Sequence, residues 1–362
     1  MITISKVKFD REEIQSILKV IKSGSVTQGE RVEEFEKNFS KYIGSKYAVA
    51  TSSGTSALFL SLLALGIGAG DEVITTPFSF IASSNAILYT GARPVFVDIN
   101  ERTFNIDEKL IEKKINNKTK AILPVHLYGL PSDMESINAI AKRNKLFVIE
   151  DACQAHGAEY KNRKVGTFGD LGCFSFYATK NMTTIEGGMI TTNNKKLYEK
   201  LKLLRNHGSK TRYYHDILGY NYRMTDLSAA IGLEQLKKLE NNNRKRVYNA
   251  EYLSKSFAKI NGIRVPFIPK DYKHVFHQYT LLLNKGIKRD EVVKKLKKAG
   301  IMAEVYYPLP IHKQKLYESL GYKEKLPVAE KISKAVLSLP IHPYVKNQEL
   351  KQIISGISSA LS

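Results

Sequence analysis

Three stretches of this chain carry side chains able to do chemistry. The first is Ser175-Phe176-Tyr177-Ala178-Thr179-Lys180-Asn181, which continues to Gly187-Gly188. A β-rich run ends there, a lysine follows in a loop, and a glycine pair precedes the next β-rich run. A lysine at the mouth of an α/β sheet can form a Schiff base with a carbonyl compound, provided that burial and a cationic neighbour keep its amine partly deprotonated. Taken alone, a solvated surface lysine accounts for the stretch equally well. The second stretch is Glu150-Asp151-Ala152-Cys153-Gln154-Ala155-His156-Gly157. A carboxylate at a buried strand end is costly unless paired. A pyridinium nitrogen suits it, because Asp151 would keep such a ring protonated and electron-withdrawing. Gln154, one helical turn on, can hydrogen-bond a ring hydroxyl. The plainer alternative is that Asp151 caps a helix. The third stretch is Ser52-Ser53-Gly54-Thr55-Ser56-Ala57-Leu58. Its backbone N–H groups and helix dipole can hold a phosphate, although an ordinary capped helix start explains it too. The run Gly66-Ile67-Gly68-Ala69-Gly70 looks like part of a dinucleotide fingerprint but precedes a strand, so it reads as a turn.

The elements that must position these residues alternate. Asp10-Arg11-Glu12-Glu13 reads as a helix start, Ile14, Ile17, Leu18 and Ile21 follow at helical spacing, and Gly24 can close the helix. A second helix runs through Val32, Phe35, Phe39 and Tyr42 to Gly44. Seven strands are predicted at 47–51, 72–76, 94–97, 121–125, 146–150, 173–176 and 189–192. Near-continuous apolar runs such as Leu146-Phe147-Val148-Ile149 indicate a mainly parallel α/β sheet covered on both faces. Ligands bind such sheets at the carboxyl ends of strands, where Asp151 and Ser52–Thr55 fall. From Asp226 a long helical pattern leads into a smaller unit with a strand at 279–283, a helix at 290–299 and a strand at 301–305. The boundary is placed near residue 240, dividing the chain into 1–240 and 241–362, with the N-terminal segment free to pack on the smaller part.

Composition narrows the class. The 362 residues suit two domains. Two cysteines, Cys153 and Cys173, exclude a disulfide scaffold and a four-thiolate metal site, and free thiols suit a reducing compartment. The longest apolar run, Ala57 to Leu65, is too short to span a bilayer, and residues 1–6 lack an apolar signal core. A cytoplasmic protein without a metal site is expected. The net charge of +21 raises the prior for a polyanion partner. Yet the basic residues are scattered in short clusters such as Lys294-Lys295-Leu296-Lys297-Lys298, with no helix-turn-helix or aromatic RNA-binding pattern.

Together the three stretches supply a phosphate cup, a ring-nitrogen carboxylate and a Schiff-base lysine, in the chain order of a pyridoxal-phosphate enzyme of fold type I. The chain resembles the nucleotide-sugar aminotransferases of the DegT/StrS group over essentially its whole length. Further support lies in Gly29-Glu30, Pro77-Phe78-Ser79-Phe80-Ile81-Ala82-Ser83, Gly219-Tyr220-Asn221-Tyr222-Arg223-Met224, Tyr307-Pro308 and Ser338-Leu339-Pro340-Ile341-His342-Pro343. The resemblance implies an α/β fold, with a large domain built on a seven-stranded sheet and a smaller C-terminal α/β domain. It implies pyridoxal 5'-phosphate as cofactor, Lys180 as the Schiff-base lysine and proton shuttle, Asp151 on the ring nitrogen and Gln154 on the ring oxygen. Phe80 would stack on the ring. Gly54, Thr55 and Ser175 would form the phosphate cup, and Asn221 would reach the phosphate of a neighbouring subunit in a homodimer. Arg212, Arg223 and Tyr307 are candidates to contact substrate. Cys153 stands where the family commonly has alanine, and Tyr177 where it often has histidine. His156 is expected as a packed, hydrogen-bonded residue behind the cofactor. The implied reaction moves an amino group, from L-glutamate, to C3 or C4 of a nucleotide-linked ketosugar. A cyclitol ketone is the alternative acceptor, and a basic regulatory or nucleic-acid-binding role is the reading from a different class.

Overall fold

Asp10 and Glu13 open the first helix as a capping box. In the computed structural model, which describes residues 1–361, the Asp10 N–H donates to Glu13 Oε2 at 2.9 Å. Helix α1 (Arg11–Ser23) ends at Gly24, whose φ of 73° is a left-handed conformation that favours glycine. Helix α2 (Glu30–Ile43), β1 (Tyr47–Thr51), α3 (Gly54–Ala64), β2 (Glu72–Thr75), α4 (Ala82–Tyr89), β3 (Arg93–Phe96), β4 (Thr119–Leu123), α5 (Met134–Asn144) and β5 (Phe147–Asp151) follow. A small hairpin, β6 (Glu159–Tyr160) with β7 (Arg163–Lys164), precedes β8 (Leu171–Ser175), β9 (Gly188–Thr192) and α6 (Lys195–Arg205).

Seven strands form one sheet in the order β1-β9-β8-β5-β4-β2-β3. The pairs from β8 to β3 are parallel, and β9 runs antiparallel to both neighbours. The mainly parallel seven-stranded sheet expected from the apolar runs is present, with ends shifted by one or two residues. Strands β8 and β9 are buried throughout because helices cover both faces. Leu58, Leu60 and Leu62 of α3 share one core with Val49, Ile149, Leu171 and Ile190. Phe35 and Phe39 of α2 share another with Phe174 and Phe176.

Helix α7 (Asp226–Phe257) crosses from one core to another. Ala229, Leu233 and Leu239 pack with Phe35, whereas Ala250, Leu253 and Phe257 join Tyr279, Leu281 and Ile353. The remaining elements are β10 (Ile263–Arg264), β11 (Tyr272–Lys273), β12 (Tyr279–Leu283), α8 (Arg289–Lys298), α9 (Lys315–Ser319), α10 (Pro327–Ser333), β13 (Val336–Leu339) and α11 (Asn347–Leu361). Strand β12 lies between β10 and β13, antiparallel to both. Ile2 packs into this core and bridges Ile301.

The strand expected at 301–305 does not form. Strand β13, with Leu337 and Leu339 fully buried, takes the place beside β12. The 301–305 segment is left at the sheet's margin, touching Ile2 and Ser338 through two isolated bridges. Strand β11 pairs with β6, which pairs in turn with β7, in a separate ribbon whose two-residue strands are too short to show a period in sequence.

Candidate active site

The carboxyl ends of β5 and β8, the first turn of α3 and the approach to α4 surround a cavity of about 640 Å³. Gly54, Thr55, Phe80, Asp151, Gln154, Ser175, Lys180 and Tyr307 all line it. Three distant stretches of sequence therefore meet at one place, the position an open α/β sheet reserves for ligands.

Each is placed by its element. In α3 the Ser56 N–H is taken by Ser53 Oγ at 3.1 Å, which leaves the Gly54 and Thr55 amides at a helix N-terminus facing the cavity. A Cβ on Gly54 would stand 2.6 Å from Ser175 Cβ and 3.0 Å from Cys153 Sγ, so glycine permits this close approach of α3 to β8. Asp151 ends β5, buried. Its Oδ1 accepts from Cys153 N–H at 3.1 Å and its Oδ2 accepts from Ser83 Oγ at 2.6 Å. Gln154 Oε1 accepts from Tyr128 N–H at 2.9 Å, which turns the Nε2 toward Tyr307 Oη at 3.3 Å. Phe80 is 57% exposed and opens onto the cavity, unlike buried Phe78 beside it.

Lys180 follows β8 in a loop that is tied down at both ends. Phe176 N–H donates to Gly187 O at 2.8 Å, and Asn181 Nδ2 donates to Asn243 Oδ1 and to Val275 O. Burial lowers the Lys180 pKa, and the Asp151 carboxylate opposes that shift. Burial likewise pushes the Cys153 thiol well up, which keeps it protonated and unreactive. Both cysteines are free.

Three predicted residues lie away from this cavity. Asn221 is exposed and bridges Asn206, and Arg223 Nη1 donates to Asn206 Oδ1 at 2.6 Å. Arg212 sits in an exposed turn with its guanidinium over the Tyr213 ring. None of the three lines the chain's own cavity. His156 differs from the expectation. It packs against Phe174 and Phe176 as foreseen, but neither ring nitrogen has a hydrogen-bond partner. The apolar and aromatic wall offers it only a marginal contact with the Ser175 backbone, and burial lowers its pKa to about 3.

Sequence reasoning also missed residues. Ser79, Ser83, Cys153, His277, Gln278 and Tyr306 line the cavity as well. Ser79 and Ser83 stand four apart at a helix start, a spacing that puts side chains on one face, and this was the available signal. His277 and Tyr306 come from segments that follow α7 and carry no local mark.

The residues fit a phosphorylated aromatic aldehyde: a glycine-permitted helix N-terminus, a buried carboxylate and a lysine of lowered pKa, all facing one cavity. Fold and site together define a pyridoxal-phosphate-dependent aminotransferase. The chain belongs to the DegT/DnrJ/EryC1/StrS aminotransferase family, whose profile matches residues 7–358. It is 41% identical to the UDP-N-acetyl-3-dehydro-alpha-D-glucosamine 3-aminotransferase of Acidithiobacillus ferrooxidans, covering 97% of this chain and 94% of that protein. It is 39% identical to the GDP-perosamine synthase of Caulobacter vibrioides, covering 99% and 98%. Among solved structures, NtdA from Bacillus subtilis with bound cofactor PMP matches with a TM-score of 0.91 and 37% identity, over 99% of this chain and 86% of that one.

Proposed function

We propose that this aminotransferase moves an amino group from an amino acid, L-glutamate, to the keto carbon of a nucleotide-linked sugar. The observation that carries the proposal is Lys180, its pKa lowered by burial, lining one cavity with the Asp151 carboxylate and the α3 N-terminus. The names of the relatives support the sugar acceptor. They differ in nucleotide, and the ring carbon aminated is left as C3 or C4.

The bound cofactor supplies an electron sink that stabilises negative charge on the donor's α-carbon. Lys180 Nζ, as the neutral amine, takes a proton from that carbon, and its ammonium form returns one to the sugar carbon in the second half. Asp151 would hold the ring nitrogen's proton, and Gln154 Nε2 would contact the ring oxygen. Phe80 would cover one ring face. The Gly54 and Thr55 amides and Ser175 Oγ would bind the phosphate. Tyr307 borders the acceptor's space.

We assign the active form as a homodimer. A second copy would bring Asn221 to the phosphate, and Arg212 and Arg223 toward the substrate's diphosphate. The exposed Tyr213, Tyr214 and Leu218, at 71–80%, support this, because apolar side chains so displayed suit burial by a partner. We divide the chain near residue 240, where α7 passes between cores, and place the protein in the cytoplasm on its free thiols. Among the described residues no helix is long and apolar enough to cross a membrane.

Borohydride reduction of the loaded protein followed by peptide mapping should place the cofactor on Lys180. Lys180→Ala should lose that label and turnover by at least about a thousandfold, the scale of losing a general acid–base. A label on another lysine, or wild-type turnover without Lys180, would remove the assignment. Product mass from nucleotide ketosugars and from a keto-inositol, assayed separately, tests the acceptor. Amination of the keto-inositol alone would overturn the sugar reading.

A further inference from the structure

Ser79 and Ser83 flank the start of α4, where serine usually binds helix amides. Neither does so here. The residue before α4 is Ile81, and no side chain caps the helix. Instead Ser83 Oγ donates to Asp151 Oδ2 at 2.6 Å, across 68 positions of sequence, and Ser79 Oγ lies 2.9 Å from Ser83 Oγ. Both serines are buried, at 4% and 1%, and both line the cavity. A serine hydroxyl has one proton. Since Ser83 gives its proton to the carboxylate, Ser79 must be the donor in the second contact. The chain thus runs one way, from Ser79 to Ser83 to Asp151, and each bond polarises the next.

We infer that Ser83, supported by Ser79, is a positioning residue that fixes the orientation of the Asp151 carboxylate. This rests on the reading of Asp151 as the partner of the cofactor's ring nitrogen. A carboxylate oxygen has two acceptor sites. Cys153 N–H occupies one on Oδ1 and Ser83 one on Oδ2, so each oxygen keeps a site for a ring N–H. A 2.6 Å hydroxyl-to-carboxylate contact is of the strong, charge-assisted kind and holds the carboxylate in one orientation. The same turn carries Phe80. Residues 79–83 therefore set both the face of the ring, through Phe80, and its nitrogen edge, through Asp151.

The test uses the full-length protein loaded with pyridoxal phosphate labelled with ¹⁵N in the ring. The variants are Ser83→Ala, Ser83→Thr, Ser83→Val and Asp151→Asn. Threonine and valine share a shape and differ in the hydroxyl, so their comparison stands even where alanine harms folding. Melting of the cofactor-free proteins checks folding. The pyridine ¹⁵N shift against pH and the cofactor dissociation constant are the readouts. In Ser83→Ala and Ser83→Val the ring nitrogen should lose its proton at lower pH than in the wild type. Their dissociation constants should rise about tenfold to a hundredfold, the scale of losing a hydrogen bond to a charge. Ser83→Thr should restore both. Wild-type ¹⁵N titration in the valine variant overturns the inference. If Asp151→Asn shifts the titration while the Ser83 variants do not, the role of Asp151 stands and that of Ser83 falls. If Asp151→Asn has no effect, both fall.

Discussion

Gly54 stands where α3, β8 and the loop after β5 come closest. Its absent side chain is a requirement of packing: a methyl group would meet Ser175 Cβ at 2.6 Å and Cys153 Sγ at 3.0 Å. Ser175 Cβ is fixed directly to the β8 backbone, so backbone must move. Gly54→Ala should cost about 1–3 kcal/mol in folding stability, as overpacking does. It should also weaken cofactor binding, because the displaced amides are those proposed to hold the phosphate. Chemical denaturation and cofactor titration of the cofactor-free protein measure the two. Unchanged values in both would show that α3 has slack the structure does not display. The neighbouring Cys153 and Cys173 play a different part at this scale. Burial raises both thiols, so they act as small packing groups.

The elements around the site are joined by a few buried polar contacts. Asp226 opens α7 and at the same time caps α2. Its carboxylate accepts from the backbone N–H of Gly29 at 2.8 Å, Val32 at 3.0 Å and Arg31 at 3.3 Å. These are amides that a helix start cannot satisfy by itself, and the negative charge also faces the positive end of the α2 dipole. Asp226→Ala should therefore cost about 2–3 kcal/mol, more than a single exposed cap. Asp226→Asn should recover part of it. A urea midpoint unchanged in the alanine variant would sink this account. On the other side of β1, Arg205 contacts Glu36, and both also bond the Ala50 backbone. That pair locks α6 and α2 to the sheet edge. Breaking one buried partner leaves the other charge uncompensated.

At the scale of the molecule, four buried histidines line the seam where α7 meets the second core. Burial pushes His156 and His274 to about 3 and His342 to about 4, and His277 well below its usual range. Repulsion from Arg246 adds to the shift in His156, His277 and His342. In the unfolded chain these groups titrate near 6.5. Between about 6.5 and about 3–4 the unfolded state binds more protons, so folding stability falls as pH falls through that window. Above it, these groups leave stability level. Melting temperature should thus decline from pH 6.5 to 4, and His342→Gln should flatten the slope. A level profile over that window would contradict the burial of these rings. The +21 charge lies elsewhere: Lys294, Lys297 and Lys298 are exposed on α8, remote in sequence from the residues proposed to bind phosphate.

The sequence by itself determined the alternation of helices and strands and the parallel sheet, and it marked Lys180, Asp151, Gln154 and the Gly54 turn as candidates that the fold brings to one cavity. Those signals are local: an apolar run, a capped helix start, or a reactive residue just past a strand is written in consecutive positions. Only the tertiary structure decided that 301–305 meets the sheet through one residue, Glu304 beside Ser338 of β13, since that pairing depends on long-range packing. It alone showed that the His156 ring packs on Phe174 and Phe176. Likewise Ser83 is tied to Asp151 across 68 residues, and Asn221, Arg212 and Arg223 stay outside their own chain's cavity. A contact between distant segments leaves no periodic mark on either one, and it exists only once the cores have closed.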